Sequence, residues 1–484
     1  MTRPLDPTSP TSPTTSTIAM GARARAVLAV LGTLGLVLAA AAAAPASAAD
    51  RTPVTPTQLF NGYQNCSTDA DRPAYVEASL GLVVEGIPST TDSTDHSLLT
   101  ARYQVWPVTD PTRTTTVTRG STTPGSEAVA PLPSEALADG QTYAWQAQTV
   151  AGGAASDWSA PCYIRIDNTR PASAPAVSSS NYPPNTWNQG GEPVEFTLDA
   201  GGDDDVTGFE FSWRQDFRVL TTTIGDHGVP EPLNPYADTG SFARADAPGG
   251  KATVRLIPPD GSVGPVTLWV RGLDRAYNPS AATGYSFLVR STAPTVTPDV
   301  PSPGFGDPVT FTLRPDPGVQ SASPVVSYSV ETSGGPDGSR TVDVPAEPDG
   351  TARVDLTMEG IDGQRVDVTS RSANGWVSPL GSWSVLYDTT PTVTSDGYPE
   401  NGSGGGTGVP GTFTFTSKLK DVVSYTYFFN DDPEATVAAD TTGPDHTASI
   451  DWTPPSDGHY DLMVCATTAS GVRLETYDYS FTVN

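Results

Sequence analysis

Gly191-Glu192-Pro193-Val194-Glu195-Phe196-Thr197 reads as a tight turn feeding a strand whose alternate side chains are apolar. The arrangement returns at Gly306-Asp307-Pro308-Val309-Thr310-Phe311-Thr312 and at Gly408-Val409-Pro410-Gly411-Thr412-Phe413-Thr414. A period of two puts every second side chain on one face, and that face needs a second layer to cover it. Downstream of each turn a second alternating run follows, at 209–213, 328–330 and 425–428. Later still, 252–270, 352–368 and 448–464 each read as a strand, a glycine-containing corner and another strand. The pattern predicts an all-β chain of tandem sandwiches.

Between these units the chain is punctuated. Ile166-Asp167-Asn168-Thr169-Arg170-Pro171, Val289-Arg290-Ser291-Thr292-Ala293-Pro294 and Leu386-Tyr387-Asp388-Thr389-Thr390-Pro391 each end a strand and run into Thr-x-Pro. Proline removes a ladder donor and biases its predecessor to extended backbone, so it ends one sandwich and leads into the next. The intervals are about the hundred residues of a single sandwich domain. Four modules are expected, at 50–168, 169–291, 292–388 and 389–484. The first drifts most: Tyr75-Val76-Glu77-Ala78-Ser79-Leu80 is expected to be its early strand, and 109–126 a long exposed hairpin or loop.

Composition agrees. Charged residues make up 17% of the chain, with 46 Gly and 47 Pro, which suits short strands and tight turns. The formal net charge is -28, so phosphate backbones would repel the chain and nucleic acid is excluded as a partner. At the N-terminus, Arg23 and Arg25 precede an apolar run over 27–44 and then Ala46-Ser47-Ala48. These are the three parts of a secretory signal peptide, expected over 1–49, with translation starting at Met1 or Met20. The protein is then expected to be extracellular, secreted or wall-associated, with no stable membrane insertion after cleavage.

Several motifs resemble known families. Leu137-Ala138-Asp139-Gly140-Gln141-Thr142-Tyr143-Ala144-Trp145 resembles the corner and sixth strand of fibronectin type III domains, where the tyrosine closes the corner, and Asp457-Gly458-His459-Tyr460 is similar. Leu273-Asp274-Arg275-Ala276-Tyr277-Asn278-Pro279-Ser280 resembles the last hairpin of bacterial immunoglobulin-like domains. Ser156-Asp157-Trp158-Ser159 and Asn374-Gly375-Trp376-Val377-Ser378 occupy the corresponding hairpin of their own units. Together these are similar to tandem modules of secreted actinobacterial multidomain proteins. Such modules also place cysteines where Cys66 and Cys162 stand, near the start of the first unit and in its last strand. First and last strands of a sandwich can be neighbours, so a Cys66–Cys162 bridge is expected; Cys465 is left over as a buried thiol.

Catalytic chemistry is not indicated. The four histidines, His96, His227, His446 and His459, lack metal-ligand spacing, and no Gly-x-Ser-x-Gly elbow occurs. No cofactor is expected beyond a calcium candidate at Asp199, Asp203, Asp204 and Asp205, whose plainer reading is a solvated acidic turn. Trp158 and Trp376 are candidate ligand contacts, with packing across the hairpin or against the next module as the alternative. The expected function is a non-catalytic structural spacer or adhesive surface. The alternatives are a carbohydrate-binding protein using the loop tryptophans, or an accessory part of an extracellular hydrolase system. Partners would be an extracellular polysaccharide or protein.

Overall fold

The computed structural model describes residues 51–484 except 95, 336, 337 and 418. The signal expected over 1–49 lies outside the described residues. Among the described residues no helix is long and apolar enough to cross a membrane.

Strands pair with strands close in sequence, which gives eight sheets in four successive pairs among the described residues. The second pair shows the plan. Ala176–Ser179, Val194–Asp199 and Lys251–Leu256 form one antiparallel sheet; Trp187–Asn188, Pro279–Val289, Gly264–Leu273, Gly208–Ser212 and Phe242–Arg244 form the other, in that order. Trp187–Asn188 runs parallel to Pro279–Val289, so the chain crosses from the first sheet to the edge of the second before returning. In the fourth pair Ser403–Gly404 joins Arg473–Val483 in the same way. The protein is therefore a tandem array of immunoglobulin-like and fibronectin type III-like β-sandwiches.

Alternation explains each core. Val194, Phe196 and Leu198 are fully buried while Glu195 between them is exposed. Phe196 meets Phe287 of the opposite sheet with ring centroids 6.2 Å apart. Burying such a side chain contributes roughly 1.5–3 kcal/mol. Polar atoms inside the sandwiches are satisfied by a recurring device. Tyr103, Tyr328 and Tyr425 stand at matching places in three modules, and their hydroxyls donate to the carbonyl oxygens of Ala128, Gly350 and His446 at 2.5, 2.5 and 2.6 Å. The corner tyrosine behaves as the resemblance implies: Tyr143 Oη accepts from Ala138 N at 2.8 Å, and Tyr460 donates to Ser456 O at 3.1 Å.

The first module departs from expectation in one place. Of the expected early strand only Tyr75 and Val76 are extended, within Ala74–Val76, which runs parallel to Cys162–Ile166. Leu80 is 97% exposed, and the strand that fills the place is Leu82–Thr90. Gly81, at φ +98°, makes the break: a Cβ there would lie 2.8 Å from Leu132 O. The 109–126 segment is a hairpin arm, Thr115–Thr122, paired with Leu99–Pro107 and largely exposed. Cys66 and Cys162 are bridged, while Cys465 is a buried free thiol whose Sγ accepts from Arg473 Nε at 2.8 Å. A short α-helix, Pro317–Ala322, also escaped the periodicity. Its signal is the cap: Asp316 Oδ1 accepts from Gly318 N and Val319 N, with proline at the first helical position.

The last hairpin of the second and of the third module docks on the module before it. Asn278 Nδ2 donates to Asp167 O at 2.8 Å, and Asn374 Nδ2 donates to Gly191 O at 2.7 Å. At the third junction Thr389, at the start of the fourth module, donates from Oγ1 to Ile361 O of the third at 2.8 Å and is held there by Glu475 N, which donates to Thr389 Oγ1 at 3.3 Å. Trp376 belongs to this machinery and is corrected as a ligand contact. It is 1% exposed, and its Nε1–H donates to Thr292 Oγ1 at 3.1 Å. Its ring lies so close to Gly190 that a Cβ there would be 2.6 Å from Cζ2. The apolar cores of the second and third modules are consequently continuous through this junction.

Two outcomes follow from this packing. The Cys66–Cys162 bridge closes a loop of 96 residues, worth about 4 kcal/mol in the chain-entropy model. Reduction should therefore make Thr142–Ala151 the first buried strand to lose hydrogen-exchange protection in urea, and unchanged order of loss would contradict this. Trp376→Ala should cost about 3–5 kcal/mol by leaving a cavity, and Gly190→Ala should disturb the same contact by collision. Their effects on the unfolding midpoint of the second and third modules should be clearly less than additive, because both break one contact.

Candidate functional site

The junction of the first two modules differs from the others because it is built from acids. Three segments meet there: Asp167 after the last strand of the first module, the 200–206 turn, and the 274–278 hairpin of the second. Asp274 is fully buried. Its Oδ1 accepts from Ala276 N and Asn278 N, both at 2.8 Å, and its Oδ2 from Asn278 Nδ2 at 2.9 Å. These bonds close a hairpin in which Tyr277 takes φ +66°, an uncommon backbone region for a bulky residue. Burial pushes the Asp274 carboxyl up to about 7, opposed by the Asn278 bonds and helped by Asp167 and Asp205.

Asp167 and Asp205 bring one carboxyl oxygen each to Asp274, all three atoms lying within 4.8 Å of one another. Both are raised, Asp167 by burial and then by Asp205, and Asp205 by burial and then by Asp203, with Arg275 offsetting it. Arg275 itself donates to Tyr75 Oη at 3.0 Å across the junction. Three hard oxygen donors so placed either share protons or take a divalent cation such as calcium.

Of the four aspartates the sequence singled out, the structure brings only Asp205 into this group. Asp199 is ion-paired to Lys251 at 2.8 Å and caps Gly201 N, which holds its carboxyl below the ordinary value. Asp203 Oδ1 accepts from Asp205 N, and Asp204 is exposed. Neighbours in a tight turn diverge, so adjacency in sequence does not make a shared donor set. Asp167 and Asp274 were visible in the sequence only as members of a module edge and a hairpin; what unites them is the junction.

Beside the acids, residues 213–241 of the second module leave the sheet and fold back over the first. Leu233 N donates to Tyr63 O at 2.9 Å, and Tyr277 Oη donates to Leu233 O at 3.1 Å. Glu127 N donates to His227 O at 3.2 Å, and Val229 packs with Phe60 and Ile87. The base of this strap is fixed by Glu210, 1% exposed, whose Oε2 meets Arg271 Nη2 at 2.6 Å and whose Oε1 accepts from Arg218 N at 2.7 Å. Between strap and first module lies a cavity of about 790 Å³, walled by Leu82, Val83, Pro131, Leu220 and Leu233, with Glu77 its single charged lining residue. Tyr63 stands at its floor, donating to Ala276 O at 2.8 Å; burial raises its hydroxyl well above the ordinary tyrosine value.

The two tryptophans named from sequence and a third, Trp187, divide. Trp376 is sealed in the second junction, Trp158 is half-buried in the first module's hairpin, and Trp187 is 51% exposed on a short edge strand.

No family profile and no curated protein matches the chain. Solved structures do. The FN1–FN3 domains of chicken CNTN1 are 14% identical, covering 65% of this chain and 100% of that one with a TM-score of 0.22. A tetra-tandem repeat from the extending region of a large adhesion protein is 15% identical, covering 88% and 99%, with a TM-score of 0.20. A Salmonella alpha-2-macroglobulin mutant is 7% identical, covering 88% and 39%, again at 0.20. At such identities and scores these are likenesses of β-module architecture and carry no functional argument.

Proposed function

We propose that the chain is a secreted, non-catalytic array whose role is to hold β-sandwich modules in fixed succession and to present the loops at their ends to an extracellular polysaccharide or protein. The observation that carries this is the junction design. Each later module closes on the one before it, through last-hairpin amides that reach Asp167 O and Gly191 O and through Thr389, whose hydroxyl reaches Ile361 O. Junctions of this kind restrict bending without a linker. The disulfide supports export to an oxidising compartment. The cavity under the strap, of mixed polar and apolar lining with one carboxylate, suits contact.

A carbohydrate-binding role is favoured by one observation, the exposed ring of Trp187; Trp158 is the second candidate and Trp376 is withdrawn.

Spin labels on Ala247→Cys and Ser339→Cys, exposed sites in the second and third modules, should give a narrow distance distribution by pulsed dipolar spectroscopy. A broad distribution would sink the stiff-array reading. Retention of the whole protein on insoluble polysaccharide, lost in Trp187→Ala, would instead establish the carbohydrate-binding one.

A further inference from the structure

The tip of the strap rests on two carboxyl groups that no cation neutralises among the described residues. Glu85, on strand Leu82–Thr90, is 3% exposed, and its Oε2 has no hydrogen-bond partner. Glu127 is its diagonal neighbour across the strand pair in which Glu85 registers with Val129 and Gly86 with Ala128. A second carboxyl beside a buried one opposes its ionisation, so Glu85 retains its proton. Glu127 is also the seat of the strap. Its backbone N–H holds His227 O, and its side chain underlies Gly228, where a Cβ would lie 3.4 Å from Glu127 Oε2. The next residue, Val229, packs on Phe60, which is the register partner of Glu85 on the adjacent strand.

We propose that the strap is a proton-held clasp: while Glu85 keeps its proton beside Glu127 the tip stays seated on the first module, and loss of that proton to solvent releases the tip and opens the cavity beneath it. Leu220, Thr221, Thr222 and Leu233 of the strap form the wall that release would remove. The other titratable or charged groups on elements packed here are Tyr103, whose hydroxyl donates to Ala128 O, and Asp226, His227 and Glu231 of the strap. None of these supplies a fixed positive charge.

The sign is set by burial and then by Glu127, which push Glu85 from the ordinary 4.5 to about 8. A proton that an unfolded glutamate releases near 4.5 is retained in the clasped state. Its contribution to closure is complete below that pH and is lost as pH rises through about 8.

The test is hydrogen exchange of the whole protein across residues 219–233 between pH 6 and 9.5, corrected for intrinsic rates. In the wild type, strap protection should fall about tenfold per pH unit above 8, while fourth-module peptides keep theirs. Glu85→Gln and Glu127→Gln each remove one charge at nearly constant shape, and both should stay protected through pH 9.5. Glu127 is half-buried, so its variant serves if Glu85→Gln fails to fold. The variants also separate the pair from Asp167, Asp205 and Asp274, which lose protons at the same junction. Flat wild-type protection, or a fall that persists in the variants, would overturn the proposal.

Discussion

The structure depends on how the end of one sandwich is satisfied. A β-sandwich leaves backbone carbonyls at its rim with no ladder partner, and the proline of each Thr-x-Pro removes one donor that could have met them. The next module repairs the deficit. Asparagine amides do so at the first two junctions, reaching Asp167 O and Gly191 O. At the second and third, the threonine of the same tripeptide is fully buried and acts as a node: Thr292 Oγ1 takes the Trp376 indole N–H, and Thr389 Oγ1 donates to Ile361 O at 2.8 Å while accepting from Glu475 N. Breaking any of these would strand a desolvated polar group, which costs more than the bond itself contributes. The order of modules is thereby coupled to the interior of each.

This coupling explains what was legible in the sequence. Period-two runs such as Val194-Glu195-Phe196 are local, and the strands they announce are present. So is the bridge between Cys66 and Cys162, because both cysteines lie in one module. Contacts between modules have no period. Trp376 sits in a hairpin that looks exposed when its own module is considered alone, and it is covered only because Gly190 of the preceding module has no side chain. The Tyr75 to Leu80 run alternates well enough to suggest a strand, yet Gly81 bends the chain and Leu82–Thr90 takes the position. One signal was present but unread. Tyr182-Pro183 with Tyr285-Ser286-Phe287, and Tyr398-Pro399 with Tyr479-Ser480-Phe481, form the same pair in the second and fourth modules. In each, the later tyrosine hydroxyl donates to the earlier tyrosine's carbonyl, at 2.8 and 2.7 Å.

The strap was illegible for a different reason. Residues 213–241 contain short extended stretches, turns and isolated apolar side chains, and neither helical nor strand periodicity describes them. Val229 is buried by Phe60 and Ile87 of another module, while Val219 and Ile224 remain 86% and 70% exposed. Such a segment is held by its two ends and by a few contacts at its tip, which places it at the low-stability end of the fold.

The first two junctions therefore rest on unlike physics. The second is closed by an indole, a buried threonine and a core shared between modules, interactions that do not respond to protons. The first is closed by carboxyl groups withdrawn from water: Asp274 under its own hairpin, Asp167 and Asp205 beside it, and Glu85 beneath the strap. Each of these acids has its pKa raised, so each resists ionisation in the docked state and each favours docking more as protons become available. In a chain of net charge -28, concentrating unpaired acids at one joint makes that joint the place where solvent conditions act. The second joint differs in kind, because an indole, a threonine and apolar side chains close it. A cation that bound the three aspartates would act in the same direction as a proton, by cancelling the repulsion that opposes docking.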